Sequence, residues 1–482
     1  MAPAQPNQLP SWLAIVSFLF LSLSVSAHVV TPRASWPNGP LVTSGRWITD
    51  ASGTKVTYAG VNWPGAMDTM IPEGLQYQSI ETIVSKIKSL GMNAIRLTYA
   101  IEMIDQYYDN GERDVSIQQA FTNALGQDDG MSIYNQVVAK NPSFGPETTR
   151  LQVFDAIAAE CAKQQIYVHL DNHVSKAIWC CNPFDGNSWF GDTYFHVGNW
   201  TRGLSFMAKH GKAWPSLMSM SLRNELRIPL DEASIIGSYN WENWYTFMQQ
   251  GAEVIHTANP DVLIFLSGLD SDKDLTAVVQ GTPLEPGALT FNRGDFDPYG
   301  NKLVLELHVY DNILGTPSKN CSMTTSRLFD KGFETLSGKA ANNFPLVVTE
   351  FGFPQSASTS QFPYASCLMK YFPSQRVGWM IWEISGSHYI RSGTKDSDEK
   401  WGLLTHDWSS WRSPGFINEL LIPAVTASTS PINSDDFPDD GNNGTNGSQD
   451  DTNSGSTLSR TQDNLMFLTL GVIGLVAIKS YA

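Results

Sequence analysis

Residues 80–97 read Ile80-Glu81-Thr82-Ile83-Val84-Ser85-Lys86-Ile87-Lys88-Ser89-Leu90-Gly91-Met92-Asn93-Ala94-Ile95-Arg96-Leu97, and this stretch decides the fold. Ile80, Ile83, Val84, Ile87 and Leu90 repeat at the period of an amphipathic helix, and Gly91 stands where a helix ends in a left-handed residue. A strand over 93–97 follows at once. A helix joined directly to an apolar strand is the unit of a parallel sheet covered by helices. Outward from it, strand-length apolar runs recur at 56–61, 166–170, 217–222, 262–266, 303–307, 346–348 and 379–381, separated by helical patterns. Eight strands in that alternation predict an α/β protein of the (β/α)8 TIM-barrel class. Ahead of them, 46–49 and 55–58 flank Asp50-Ala51-Ser52-Gly53, a hairpin placed to plug the barrel's floor.

With 482 residues and 42% hydrophobic content, the chain can bury one large core, and a barrel with insertions can occupy most of it. Lys and Arg number 31 against 47 Asp and Glu, so the net charge of −16 repels phosphate backbones and anionic lipid surfaces. Nucleic acid is excluded as a partner. The 15 Trp suit a groove that stacks sugar rings, and equally a well-filled core.

The ends read differently from the middle. An apolar run from Trp12 to Val25 and the small residues Val25-Ser26-Ala27 predict a signal peptide over 1–27 and a secreted protein, although the run has no Lys or Arg before it. The catalytic domain is expected over 28–425. From 426 to 456 the chain is Ser, Thr, Asn, Gly, Asp and Pro with almost no large apolar residue, which predicts a linker. Glycosylation sequons begin at Asn443 and Asn446 in it, and at Asn199 and Asn320 before it. Small residues at 453–455, a polar spacer and an apolar tail over 465–478 resemble a glycosylphosphatidylinositol (GPI) attachment signal, with 457–482 as the removed segment. The tail falls short of the roughly 20 residues that span a bilayer, so the expected membrane contact is a lipid anchor at the cell surface or wall.

Five cysteines remain after the leader: Cys161, Cys180, Cys181, Cys321 and Cys367. One must stay unpaired. A bond between the adjacent Cys180 and Cys181 would be strained, so each is expected to pair elsewhere or one to stay free. No CxxC pair or His cluster has ligand spacing, so neither a metal nor another cofactor is implied.

Polar residues gather just after the apolar strand cores, where barrel enzymes carry their chemistry. The fourth strand runs into Leu222-Arg223-Asn224-Glu225, and the seventh into Val348-Thr349-Glu350-Phe351-Gly352. Cleaving a glycosidic bond takes one carboxylic acid to protonate the departing oxygen and a second carboxylate at the anomeric carbon. A lone Glu is more often a surface group or a structural ion pair, but two at separate strand ends meet that need.

From about Gly45 to Leu421 the chain resembles glycoside hydrolase family 5, the cellulase family of retaining barrel enzymes, as a secreted or GPI-anchored member of fungal type. Gly60-Val61-Asn62-Trp63 is similar to its first-strand motif, and Gly91 to Leu97 to its second. The resemblance assigns Glu225 as general acid/base and Glu350 as nucleophile, supported by Arg96. It assigns His173, in Leu170-Asp171-Asn172-His173, to substrate binding and Asn224 to the sugar 2-hydroxyl. His308 and Tyr310 would orient the two carboxyl groups, and Trp382 after the eighth strand would be the sugar platform. Leu226 departs from the proline of many relatives, which leaves the substrate subfamily open. Trp63, Trp179 and Trp189 are candidates to extend the groove, and Asp171 and Glu383 are weaker catalytic candidates.

The resemblance implies a monomer acting on β-linked polysaccharide or oligosaccharide, first of all inside β-1,4-glucan. β-1,3- or β-1,6-glucan and β-mannan stay open, because subsite loops set the sugar. Two readings from other classes are a wall carbohydrate-binding protein without turnover and a structural surface glycoprotein. Neither accounts for a matched acid and nucleophile.

Overall fold

The computed structural model describes residues 36–310 and 320–432, together with Met1. The expected leader beyond Met1, the linker after 432, both of its sequons and the C-terminal tail lie outside the described residues. Three short strands come first, β1 (Val42–Ser44), β2 (Trp47–Thr49) and β3 (Lys55–Val56), paired antiparallel in that order. Then follow β4 (Ala59–Trp63), β5 (Ala94–Ala100), β6 (Tyr167–Val174), β7 (Leu217–Ser221), β8 (Leu263–Ser267), β9 (Leu303–Val309), β10 (Leu346–Phe351) and β11 (Gly378–Ile381). These eight pair in parallel and close into a barrel, β11 meeting β4. The fold expected from the alternation is the fold observed.

Local chemistry explains the joints. The helix Ile80–Ser89 starts where the Ser79 hydroxyl accepts from the Thr82 N–H, and it buries Ile80, Ile83, Val84 and Ile87. Gly91 takes the left-handed conformation (φ +79°) that ends it. Asn93 then ties β4 to β5, its Oδ1 accepting from Ala59 N at 2.8 Å and its Nδ2 donating to Thr57 O at 2.9 Å. Gly60 has no alternative, since a Cβ there would stand 2.3 Å from the Ala94 carbonyl oxygen.

The expected hairpin is β2–β3, and it does seal the floor. Leu41 and Ile48 cluster with Tyr58, just ahead of β4, and with Ala94, Met218, Leu263, Phe265, Val304, Val347 and Met380 from the barrel strands. Above this apolar layer the interior turns polar, with His169, Ser219, Ser221 and Glu306 all buried. The outer faces of the strands and the surrounding helices form the main core.

Several boundaries move, the second strand running on to Ala100 and the seventh to Phe351. The first barrel strand begins at Ala59, because Lys55–Val56 belongs to the floor sheet. The third extends to Val174, which places Asp171, Asn172 and His173 inside the strand. The final helix, Ile422–Thr429, passes the expected start of the linker at 426. There the Thr426 and Thr429 hydroxyls bond back to Ile422 O and Val425 O, and Trp379 Nε1 donates to Ser428 Oγ at 2.9 Å. Small hydroxyl residues fold into the helix where carbonyls of the preceding turn and the buried Trp379 indole take up their hydroxyls. A further hairpin, β12 (Ser387–Arg391) with β13 (Thr394–Asp398), follows the eighth barrel strand and has no counterpart in the sequence reading.

Candidate active site

The strands end at a cleft of about 220 Å³ lined by His173, Asn224, Glu225, Tyr310, Glu350 and Trp382, with walls from the loops described below. All eight residues expected at the site meet here, six on the lining and Arg96 and His308 directly beneath it.

Glu350, at the end of β10, is almost fully buried and pairs with the Arg96 guanidinium. The Tyr310 hydroxyl donates to its other oxygen at 3.0 Å. Burial and then the charges of Glu350 and Glu225 push the Tyr310 phenol well above its ordinary value, so it stays a donor. Arg96 is the hub. Besides Glu350 it contacts Asn62 Oδ1 at 3.0 Å, Asn224 Oδ1 at 2.8 Å, Asp171 Oδ1 at 3.0 Å and Glu306 Oε1 at 3.4 Å. Burial alone would favour losing its proton, but Asp171, Glu350 and Glu306 raise its pKa instead. The cation is locked on.

Glu225 follows β7 in a left-handed conformation (φ +46°), sparsely populated for a residue with a side chain and found where surrounding contacts enforce it. The contact is Asp272, whose Oδ2 accepts the Glu225 N–H at 2.7 Å. Asp272 itself comes from a turn in which Asp270, Ser271 and Asp272 are all left-handed. The buried Leu226 holds that turn, its carbonyl accepting from Ser271 N at 2.9 Å.

His308 lies between the two glutamates, with Nδ1 3.0 Å from Glu225 Oε1 and 3.8 Å from Glu350 Oε2. Burial pulls its pKa down, but Glu350, Glu225, Glu306 and Asp272 outweigh burial and hold it well above the ordinary value. For Glu225 the balance is opposite. Burial raises it, and the His308 hydrogen bond and charge, with Arg227 and His173, bring it below the usual carboxylate range. In the free site the shared proton therefore rests on His308, one hydrogen bond from Glu225. One oxygen of each glutamate and a ring nitrogen of His308 all lie within 4.8 Å of one another.

The remaining candidates divide. Trp382 lies on the cleft with the His173 ring stacked against it at 5.6 Å, and His173 Nδ1 is 2.8 Å from Asp171 Oδ2. Trp179 joins the wall edge-on to Trp382, with the Arg391 guanidinium 3.7 Å over its ring. Trp63 and Trp189 do not extend the groove. Both are fully buried, their indole N–H groups donating to Glu73 O and Ser238 Oγ. Asp171 is a buried partner of Arg96 and His173, kept ionised by them against the effect of burial. Glu383 is buried, with its carboxyl pushed up to about 8 by burial. His388 Nε2 is 3.1 Å from it and falls to about 4 by burial. Glu383, His388 and Glu399 come near enough to hold a metal. Glu383 Oε2 and His388 Nδ1 are buried there without a hydrogen-bond partner among the described residues.

Several neighbours escaped sequence reasoning. Asp272 reaches Glu225 only through the left-handed turn, while Arg391, Glu399 and Trp401 arrive with the late hairpin. Glu306 lies within the apolar run expected over 303–307, and alternation along β9 turns it inward with His308. The cysteines also differ from expectation. Cys321 pairs with Cys367, Cα atoms 5.5 Å apart, and Cys161 is buried and free. That leaves Cys180 and Cys181 only each other, and they are bonded, on the cleft wall.

A barrel with two carboxyl groups across an open cleft at the strand ends belongs to the class of enzymes that cleave glycosidic bonds. More narrowly, residues 49–388 match the cellulase family, glycosyl hydrolase family 5, and the chain belongs to it and is a glycoside hydrolase. It is 35% identical to a glycosyl hydrolase 5 family protein of Chamaecyparis obtusa, over 85% of this chain and 69% of that one. An endoglucanase of Paenibacillus polymyxa is 23% identical over 86% of this chain and 95% of its own. Among solved structures, an endocellulase of Pyrococcus horikoshii superposes with a TM-score of 0.58 at 17% identity, covering 82% of this chain and 99% of that one. The catalytic domain of the major endoglucanase of Xanthomonas campestris gives 0.55 at 18% identity, covering 80% and 99%. Family membership sets aside the binding-protein and structural-glycoprotein readings.

Proposed function

We propose that the protein is a retaining endo-β-1,4-glucanase in which Glu350 is the nucleophile and Glu225 the general acid/base. One observation carries the mechanism: carboxylate oxygens of Glu225 and Glu350 lie within 4.8 Å of each other and of His308. Retaining glycosidases hold their carboxyl groups about 5–5.5 Å apart, whereas inverting ones leave about 6.5–9.5 Å for a water molecule. At the shorter spacing Glu350 attacks the anomeric carbon directly and the leaving oxygen departs with a proton from Glu225. Water then attacks the glycosyl-enzyme, giving its proton to Glu225. Arg96 and Tyr310 occupy both Glu350 oxygens and orient the carboxyl group for attack. Trp382 offers the sugar a stacking face beside His173, and Asn224 faces the 2-hydroxyl. The endoglucanase and endocellulase relatives support internal cutting of β-1,4-glucan.

With an activated aryl glycoside, Glu225→Ala should glycosylate, stall, and recover in azide as the β-glycosyl azide. Glu350→Ala should lose both steps, and azide entering from its vacated side should give the α-product. An α-anomer released first by the wild type would mean inversion and overturn both roles.

A further inference from the structure

We propose that the Cys180–Cys181 disulfide is a positioning element for Asn224 and forms the sulfur wall of the subsite at the cleavage point. Both sulfurs line the same cleft as Glu225 and Glu350. Asn224 is almost fully buried, and its Nδ2 lies 3.4 Å from Cys181 Sγ and 3.6 Å from Cys180 Sγ. Its Oδ1 accepts from Arg96 Nη2 at 2.8 Å. The carboxamide is therefore gripped at both ends. Turning it over would set its NH2 group against the guanidinium, donor facing donor, and its oxygen against sulfur.

The chemistry of the grip matters as much as its place. Sulfur is a weak acceptor, so it occupies one amide hydrogen without competing strongly for the second, which is left for a hydroxyl in the cleft. A disulfide neither donates nor titrates. Two thiols in its place would bring S–H donors and, as thiolates, negative charge to within 4.8 Å of a Glu225 oxygen. The wall is itself held on both flanks. Trp179 is covered by Arg391, while Arg227 donates to Asn182 O at 3.2 Å and bonds both Asp185 oxygens.

The inference rests on the glycosidase reading with Asn224 at the sugar 2-hydroxyl, and a substrate pair separates the two. An aryl β-glycoside and its analogue deoxygenated at C2 of the cleaved sugar are compared on the wild type and on Cys180→Ala/Cys181→Ala. The wild type should lose about 10- to 100-fold in kcat/KM on the deoxy substrate, the range of a hydrogen bond that strengthens in the transition state. No loss there refutes the Asn224 reading. The double variant should lose a similar factor on the parent substrate, in kcat rather than KM, and almost nothing on the deoxy analogue. Equal losses on both substrates, or none, would overturn the positioning role.

Reduction of the folded wild type keeps the test decisive if the variant does not fold. A water-soluble phosphine attacks one sulfur, takes the place of the S–S bond, and leaves as the phosphine oxide with oxygen from water, giving two thiols. Alkylation and peptide mapping identify which bond opened. Opening of Cys180–Cys181 should reproduce the substrate-selective loss, and unchanged rates on both substrates after it would refute the proposal. A folded double variant, which retains Cys321–Cys367, should be insensitive to the phosphine.

Discussion

Replacing His308 by glutamine keeps a donor beside Glu225 and removes the cation. In the wild type burial opposes the imidazolium, yet Glu350, Glu225, Glu306 and Asp272 keep its proton well past the ordinary 6.5. The His308 Nδ1 that carries it lies 3.0 Å from Glu225 Oε1, and the proton stays available to a leaving oxygen until pH exceeds the raised value. In the variant only Glu225 can hold it. The carboxyl then titrates nearer its ordinary 4.5, raised by burial and lowered by Arg227 and His173, with the His308 contribution gone. The alkaline limb of kcat/KM should therefore move down from above 6.5 toward 4.5, by at least about 2 pH units. The assay is a pH profile on two aryl β-glycosides, one with a poor and one with a good leaving group. Only the poor one needs the proton, so only its limb should move. A limb that stays in place in His308→Gln, or that moves equally for both substrates, would refute the shared-proton account.

Trp382→Ala should lower kcat/KM roughly 10- to 100-fold through lost stacking and contact area, with the thermal melt retained; wild-type kinetics or an unfolded protein would remove the platform role. Burial alone would raise Glu306, but His308, Arg96 and His169 hold it at about 2 against an ordinary 4.5. Its contribution is complete above pH 4.5 and is lost as pH falls through about 2. Glu306→Gln should therefore flatten the acid side of the stability curve by roughly 3 kcal/mol in urea melts across that window. Attachment by a lipid is checked with phosphatidylinositol-specific phospholipase, which should release the protein from membranes. Retention with the tail peptide still present would instead indicate a transmembrane helix.

The barrel was legible because its strands are apolar over their whole length and each hands over abruptly to polar residues. Glu225, Glu350, His173 and Tyr310 stand at those handovers, so a reading of strand ends finds them. Asp272 could not be found that way, since its approach to Glu225 depends on three successive left-handed residues that no period encodes. Arg391 ends the first strand of a hairpin whose second strand is almost wholly exposed, and Glu399 follows that second strand, where apolar alternation gives little signal. Trp63 and Trp189 show the converse limit. A tryptophan beside a strand end looks the same in sequence whether its indole N–H meets a backbone carbonyl in the core or a sugar in the cleft.

The hub around Arg96 also fixes the sign of the field that a substrate meets. Among the described residues, Arg96 and His308 are cations beneath the cleft and Arg391 one on its wall, and Asp171, Glu306, Glu225, Glu350 and the wall's Glu399 outnumber them. The strand ends thus form an electronegative bowl, assembled before any sugar arrives. Positive charge developing on an anomeric carbon is stabilised there without reorganisation of the protein. The same bowl opposes carboxylate-bearing chains, so uronate polymers should be rejected at the mouth while neutral polysaccharides pass.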